Sequence, residues 1–90
     1  MSDAKRALVL HLAGASEPAV FAVSEDGARE LQPRLAQLLT NGSVHAQTLA
    51  DGSTMAVNFA HVVTAHVDEL PAHARVYGNG PARQHGFATA

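Results

Sequence analysis

The chain contains no cysteine and no tryptophan, and only four of its 90 residues are aromatic. Without cysteine there is no disulfide framework, no thiolate nucleophile and no Cys-ligated zinc site. The apolar residues make up 47% of the chain, but most are alanine and valine, whose small side chains bury little area each. A single domain of this length buries only about two-thirds of its unfolded surface. We therefore expect one domain with a light core that self-association, most simply as a dimer, would complete.

Clustered positive charge is also lacking. The six Lys and Arg residues are scattered, and the formal net charge is −2 with neutral histidines. Nucleic-acid phosphates require a basic groove, so the composition argues against a nucleic-acid partner. No stretch approaches the ~20 apolar residues of a membrane span. The apolar run after Lys5-Arg6 is interrupted by His11, which argues against a secretory signal. We expect a cytoplasmic protein with no membrane partner.

The first two apolar stretches predict an antiparallel hairpin. Residues 5–13 alternate, with Leu8, Leu10 and Leu12 on one face, and residues 19–23 follow a turn rich in breakers.

A helix is predicted after this hairpin. Ser24 is a typical N-cap, and Asn41-Gly42 is a typical helix end. Apolar side chains recur at helical spacing between them: Ala28, Leu31, Leu35, Leu38 and Leu39. Pro33 lies inside this helix, where a proline removes a backbone hydrogen bond. We expect either a kink at Pro33 or a second helix that begins there.

Asp51-Gly52 predicts a second hairpin, over residues 44–50 and 54–59, because this dipeptide favours a two-residue turn. That turn sets Ala46 opposite Val57. The face expected to pack on the helix then carries Val44, Ala46, Thr48, Met55, Val57 and Phe59. The outer face carries His45, Gln47 and Leu49.

A fifth strand is predicted over residues 62–67, and it is the preferred candidate for a free edge. The fold class is therefore α+β, with a small antiparallel sheet in β-β-α-β-β-β order and one helix, kinked or divided at Pro33, on one face. The expected domain covers residues 1–77, and residues 78–90 are expected to form a flexible tail. Residues 75–77 could add a short edge strand to their own chain or form an arm on a neighbouring subunit.

Histidine is the enriched functional residue, with six in the chain. One hypothesis is a transition-metal site on the outer sheet face, built from His11, His45 and His66. The spacing argues against it, since no strand carries His-x-His, and His61 and His66 fall on opposite faces of a regular strand. Surface histidines at half-buried sheet positions are the favoured interpretation, so we predict no metal ligand.

No catalytic or cofactor-binding residue is predicted. Ser24, Ser43 and Ser53 occupy cap and turn positions, and none has the surroundings of a nucleophile elbow. The acidic pairs Glu25-Asp26 and Asp68-Glu69 fall at element ends, where carboxylates are solvated. Gly78-x-Gly80 lacks the helix and lysine of a phosphate loop.

The sequence therefore predicts a small non-catalytic accessory or regulatory protein. It self-associates and binds a protein partner through its sheet face or edge, and histidine-mediated metal binding is the alternative. The Ala-, Arg- and Val-rich composition is typical of a bacterial protein encoded at high GC content.

Overall fold

The computed structural model describes residues 5–70 and 76–80. Its elements confirm the predicted α+β class and the predicted order of strands and helix. They are β1 (Lys5–Leu12), β2 (Ala19–Ser24), α1 (Glu25–Leu31), a 3-10 turn (Gln32–Arg34), α2 (Leu35–Asn41), β3 (Val44–Thr48), β4 (Thr54–Asn58), a second 3-10 turn (Phe59–His61) and β5 (Val62–Glu69).

The strands form two antiparallel sheets, where the sequence predicted one. One sheet has three strands in the order β2-β1-β5, and the other is the β3-β4 hairpin. The connection after β4 explains the division. The Asn58 side chain accepts a hydrogen bond from the Ala60 N–H and so begins the second 3-10 turn. This turn redirects the chain, the Ala13 N–H donates to the His61 carbonyl, and β5 runs back beside β1 instead of extending the hairpin.

The helical segment begins and ends as the sequence predicts. The Ser24 hydroxyl accepts a hydrogen bond of 3.0 Å from the Gly27 N–H, which satisfies one of the donors left free in the first turn. Gly42 closes α2 in the left-handed conformation, with a φ of 62°. Pro33 lies in the 3-10 turn between the two helices. The predicted interruption is therefore confirmed, and the second helix begins at Leu35.

The core lies between the inner face of the three-stranded sheet, the two helices and the hairpin. The largest side chains that are fully buried are Phe59, Leu8, Leu10 and Val23. The helical stripe completes this core through Ala28, Leu31, Leu35 and Leu38, with Leu39 half-buried beside them. Aliphatic contacts of this kind stabilise the fold by about 25 cal/mol per Å² of apolar surface removed from water.

The predicted register of the β3-β4 hairpin was wrong by one residue. Ala46 pairs with Ala56 and Thr48 pairs with Thr54, so a five-residue loop, 49–53, replaces the two-residue turn. A one-residue shift moves every side chain of a strand to its other face.

On β3 this shift turns His45 and Gln47 inward and leaves Val44 67% exposed. Leu49, just beyond the strand, is only 8% exposed and joins the core. The inward direction of Met55 and Val57 on β4 was predicted correctly. Burial of Leu49 is the physical reason for the shift, because the predicted register would have placed this large apolar side chain in water.

Candidate functional site: the free strand edges

The outer edge of β2 is closed by residues from two other parts of the chain. The Ala22 N–H donates to the Tyr77 carbonyl at 2.8 Å, and the Tyr77 N–H donates to the Val20 carbonyl at 2.9 Å. The Ala50 N–H donates to the Ala22 carbonyl at 2.8 Å. The sequence left two roles open for residues 75–77, an edge strand on their own chain or an arm on a neighbouring subunit. Tyr77 makes an edge contact on its own chain. Of the predicted tail 78–90, residues 81–90 lie outside the described residues.

The opposite edge of the same sheet belongs to β5. Because both backbone groups of Ala22 point away from β1, Ala22 and its partner Ala7 form a non-hydrogen-bonded pair of the ladder. The backbone groups of Ala7 therefore point to β5, where Asp68 is its partner. By the alternation of an antiparallel ladder, Ala65 and Val67 direct their N–H and carbonyl groups away from the sheet. Among the described residues no strand pairs with this edge, so it is a free edge.

The free edge of β5 carries almost no charge. From Leu35 to Val67 the only Asp, Glu, Lys or Arg is Asp51, which is buried and accepts a hydrogen bond from the Ser53 N–H. Natural proteins usually guard a free edge with charged side chains or proline. Here the charges stand at the C-terminal end alone, at Asp68 and Glu69. Val63 is 63% exposed near the other end.

Within the described part of the chain, both edges of the β3-β4 hairpin are also free along most of their length. The Leu49 N–H donates to the Ser53 carbonyl at 2.7 Å, so by alternation the outward backbone groups on β3 belong to Val44, Ala46 and Thr48. On β4 they belong to Thr54, Ala56 and Asn58. The Gln47 side-chain amide donates a hydrogen bond of 3.1 Å to the Thr48 carbonyl, so this one outward carbonyl already has a partner.

Each hairpin edge lines a groove. The β3 edge faces α1 across a polar groove of about 340 Å³. Glu30 of α1 and Arg34 of the following 3-10 turn line one wall, and His45 lies on the other side with its Nε2 3.1 Å from the Gln47 Oε1. The β4 edge faces the end of the larger sheet across an apolar groove of about 250 Å³, lined by Leu10, Leu12, Phe21, Met55, Ala56, Val57, Asn58 and His61.

The histidines proposed as metal ligands are not brought together. His11 and His66 lie on the outer face of the three-stranded sheet, because their partners Thr64 and Val9 lie there. His45 is on the hairpin, with its ring edge-on to the Phe59 ring at a centroid distance of 6.4 Å. In residues 5–70 and 76–80, no group of three His, Cys, Asp or Glu side chains could hold a metal ion. His73 and His85 lie outside the described residues.

The polar residues considered for catalysis occupy structural positions. Ser24 caps α1, and the Ser53 hydroxyl donates to the carboxylate of Asp51. Asp26 forms an exposed ion pair with Arg29 at 3.0 Å. The Ser43 carbonyl accepts from the Phe59 N–H. These contacts hold caps and turns.

The chain was compared with models of protein families, with curated proteins and with solved structures, and no match was found. Within the part of the chain that the structure describes, no helix is long and apolar enough to cross a membrane.

Two features of these surfaces escaped the sequence prediction. The β4 groove depends on the division into two sheets, which the sequence prediction missed although Asn58, the cap of the second 3-10 turn, is a typical capping residue. The closure of β2 by Ala50 depends on the shifted hairpin register. One signal was present in the sequence: the near-absence of charge from residue 35 to residue 67 marks the strands whose edges are free.

Proposed function

We propose that this chain is a small non-catalytic accessory protein that self-associates through the free edge of β5 and binds a protein partner through a second free edge. The observation that carries this proposal is the contrast between the two edges of the larger sheet. Backbone hydrogen bonds from Tyr77 and Ala50 close β2. Among the described residues, the edge of β5 has unused backbone groups and no charged side chain before Asp68.

An added strand stabilises such an edge in two ways. Each new backbone hydrogen bond contributes about 1 kcal/mol net, and exposed apolar side chains such as Val63 leave water. A light core makes the second contribution important. Among the described residues the fully buried set includes a single aromatic side chain, Phe59, so further apolar burial between subunits adds a sizeable share of the total stability.

The partner protein is proposed to bind at the hairpin. The β4 edge combines outward backbone groups with the apolar wall formed by Leu10, Leu12 and Phe21. Strand addition takes affinity from main-chain hydrogen bonds and specificity from pockets for alternate side chains. The structural roles of Ser24, Ser53 and Asp26 support a non-catalytic protein. The absence of cysteine from the sequence supports a place in the reducing cytoplasm.

The experiment is sedimentation equilibrium of the wild-type chain and of two matched valine variants. Val63→Lys adds charge next to the β5 edge, and Val44→Lys adds it at an equally exposed position on β3. We expect a wild-type dimer at micromolar concentration. Val63→Lys should raise its dissociation constant by about tenfold, equivalent to about 1.4 kcal/mol, and Val44→Lys should leave it unchanged.

Thermal unfolding of both variants is the control for folding. A wild-type chain that is monomeric throughout the micromolar range would overturn self-association. An equal effect of the two lysines would show that the interface lies elsewhere than on β5.

A further inference from the structure

The regular part of the β5 edge is centred on Val67. The pairing with β1 shifts between His11 and Leu12, which pair with Thr64 and Val62 and leave Val63 as an extra residue. This bulge removes Val63 from the regular ladder. The outward backbone groups of the regular stretch therefore belong to Ala65, Val67 and Glu69.

An antiparallel edge of this kind is complementary to a second copy of itself. With a two-fold axis at Val67, the Val67 N–H of each copy donates to the Val67 carbonyl of the other copy. The Ala65 N–H meets the Glu69 carbonyl of the other copy. The Glu69 N–H needs no new partner, because it already donates to the Asp68 carboxylate at 2.8 Å.

The polar side chains of the outer face favour this register. His66 and Asp68 both lie there, exposed, with Nε2 and Oδ2 3.8 Å apart within one chain. A two-fold axis at Val67 places each His66 directly across from Asp68 of the other copy, at Cβ separations of about 4.5–5.5 Å. An axis at His66 would oppose two imidazoles, and an axis at Ala65 would set His66 against Thr64.

We infer that the partner at the β5 edge is a second copy of this chain, paired antiparallel about Val67 so that His66 of each copy lies opposite Asp68 of the other. The inference rests on the proposed function and adds the partner and the register to it. The two sheets join into one of six strands. On the inner face the half-buried side chain of Val67, which packs against the core, meets its counterpart.

The other titratable side chains on this outer face, among the described residues, are Lys5 and His11 of β1. The Lys5 Nζ donates to the Asn79 side chain at 3.1 Å, and His11 stands beside Thr64. Neither is opposite the edge of the second copy, so the alternating His66 and Asp68 side chains determine the polar pattern of the outer face at the two-fold axis. Two charged residues near the axis belong to the inner face: Arg6, whose Nε donates to the Asp68 carbonyl at 3.4 Å, and its strand partner Glu69.

The test uses two charge variants, alone and mixed. His66→Asp sets two carboxylates opposite each other in its homodimer, and Asp68→Lys sets an ammonium opposite an imidazole. We expect each variant alone to dimerise roughly tenfold more weakly than the wild type. In a heterodimer of the two variants the introduced aspartate lies opposite the introduced lysine, and the remaining pair is His66 opposite Asp68, as in the wild type. Native mass spectrometry of an equimolar mixture should therefore show the heterodimer in excess of both homodimers.

Circular dichroism and thermal unfolding check that both variants fold, as their exposed positions lead us to expect. If the wild type dimerises and Val63→Lys weakens it, but Asp68→Lys has no effect and mixing gives no excess heterodimer, the register is wrong and the proposed function stands. If the wild type and the mixture are both monomeric, the proposed register and the proposed self-association are both wrong.

Discussion

Gly78 packs against Leu49 so closely that no other residue fits at this position. A Cβ atom on Gly78 would lie 2.7 Å from both the Cβ and the Cδ1 of Leu49, and the backbone of Gly78 has a φ of +80°. The Gly78 carbonyl accepts a hydrogen bond of 3.0 Å from the Asp51 N–H. The contact thus links the segment that closes β2 to the loop of the hairpin, and it holds Tyr77 beside Phe21.

Gly78→Ala should therefore destabilise the fold. The substitution adds the strain of a left-handed backbone and a clash with the buried Leu49, and together these should lower the free energy of unfolding by about 2–4 kcal/mol. Urea denaturation followed by circular dichroism measures it.

Gly14 and Gly80 separate the effect of backbone strain from the effect of the clash with Leu49. Gly14 has a φ of +82°, and a Cβ atom added there would meet no atom of the described residues within 4 Å. Gly80 has neither the positive φ nor a close neighbour. Gly14→Ala should show the backbone strain alone, about 1 kcal/mol, and Gly80→Ala should be neutral. Equal effects at Gly78 and Gly14 would mean that Leu49 yields easily and that the contact is not tight.

The sequence predicted the elements well because their signals are local. Ser24 marks the start of the helix by its capping side chain, and the spacing of the leucines indicates which face of the helix is buried. The register of the β3-β4 hairpin has no such signal. The two faces of the first hairpin strand compete for the core: one carries Val44, Ala46 and Thr48, and the other carries His45, Gln47 and Leu49. Asp51-Gly52 favours the two-residue turn, which would bury the first face. Burial of Leu49, which Gly78 contacts from the far end of the chain, decides between them.

A pair of proline variants tests the observed register. The Ala46 N–H points away from β4, so Ala46→Pro removes no bond within the hairpin. The His45 N–H points towards Val57, so His45→Pro removes a ladder bond and should cost about 3 kcal/mol. Ala46→Pro should lower the free energy of unfolding by about 1 kcal/mol or less. The two-residue turn would reverse this ranking, so chemical denaturation of the two variants distinguishes the registers directly.

Leu49 should behave as a core residue. Leu49→Ala should lower the free energy of unfolding by about 2–4 kcal/mol, because it removes a buried side chain and leaves a cavity. Leu12, which is 38% exposed, is the matched control, and Leu12→Ala should cost about 1 kcal/mol or less. Similar losses at the two positions would contradict the inward orientation of Leu49.

The free edges could be predicted only in part. Residues 62–67 were expected to form an edge strand, and β5 does lie at the edge of its sheet. The sequence did not determine what closes the edge of β2, because this closure requires Tyr77 to contact Phe21, which lies far away along the chain. Long-range pairing of this kind is determined by the shape of the assembled core, and no local pattern in either segment encodes it.

The positions of His11, His45 and His66 predict that these three side chains do not form a stoichiometric zinc site. His11 and His66 share the outer sheet face, while His45 packs against Phe59 on the hairpin, so these three imidazoles cannot complete one coordination sphere. Calorimetric titration of the full chain with Zn²⁺ should give no saturable heat that depends on these three side chains. Stoichiometric heat that is lost in a His11→Ala, His66→Ala double variant and kept in His45→Ala would contradict this prediction. It would favour metal binding at the outer face over its role as a protein interface.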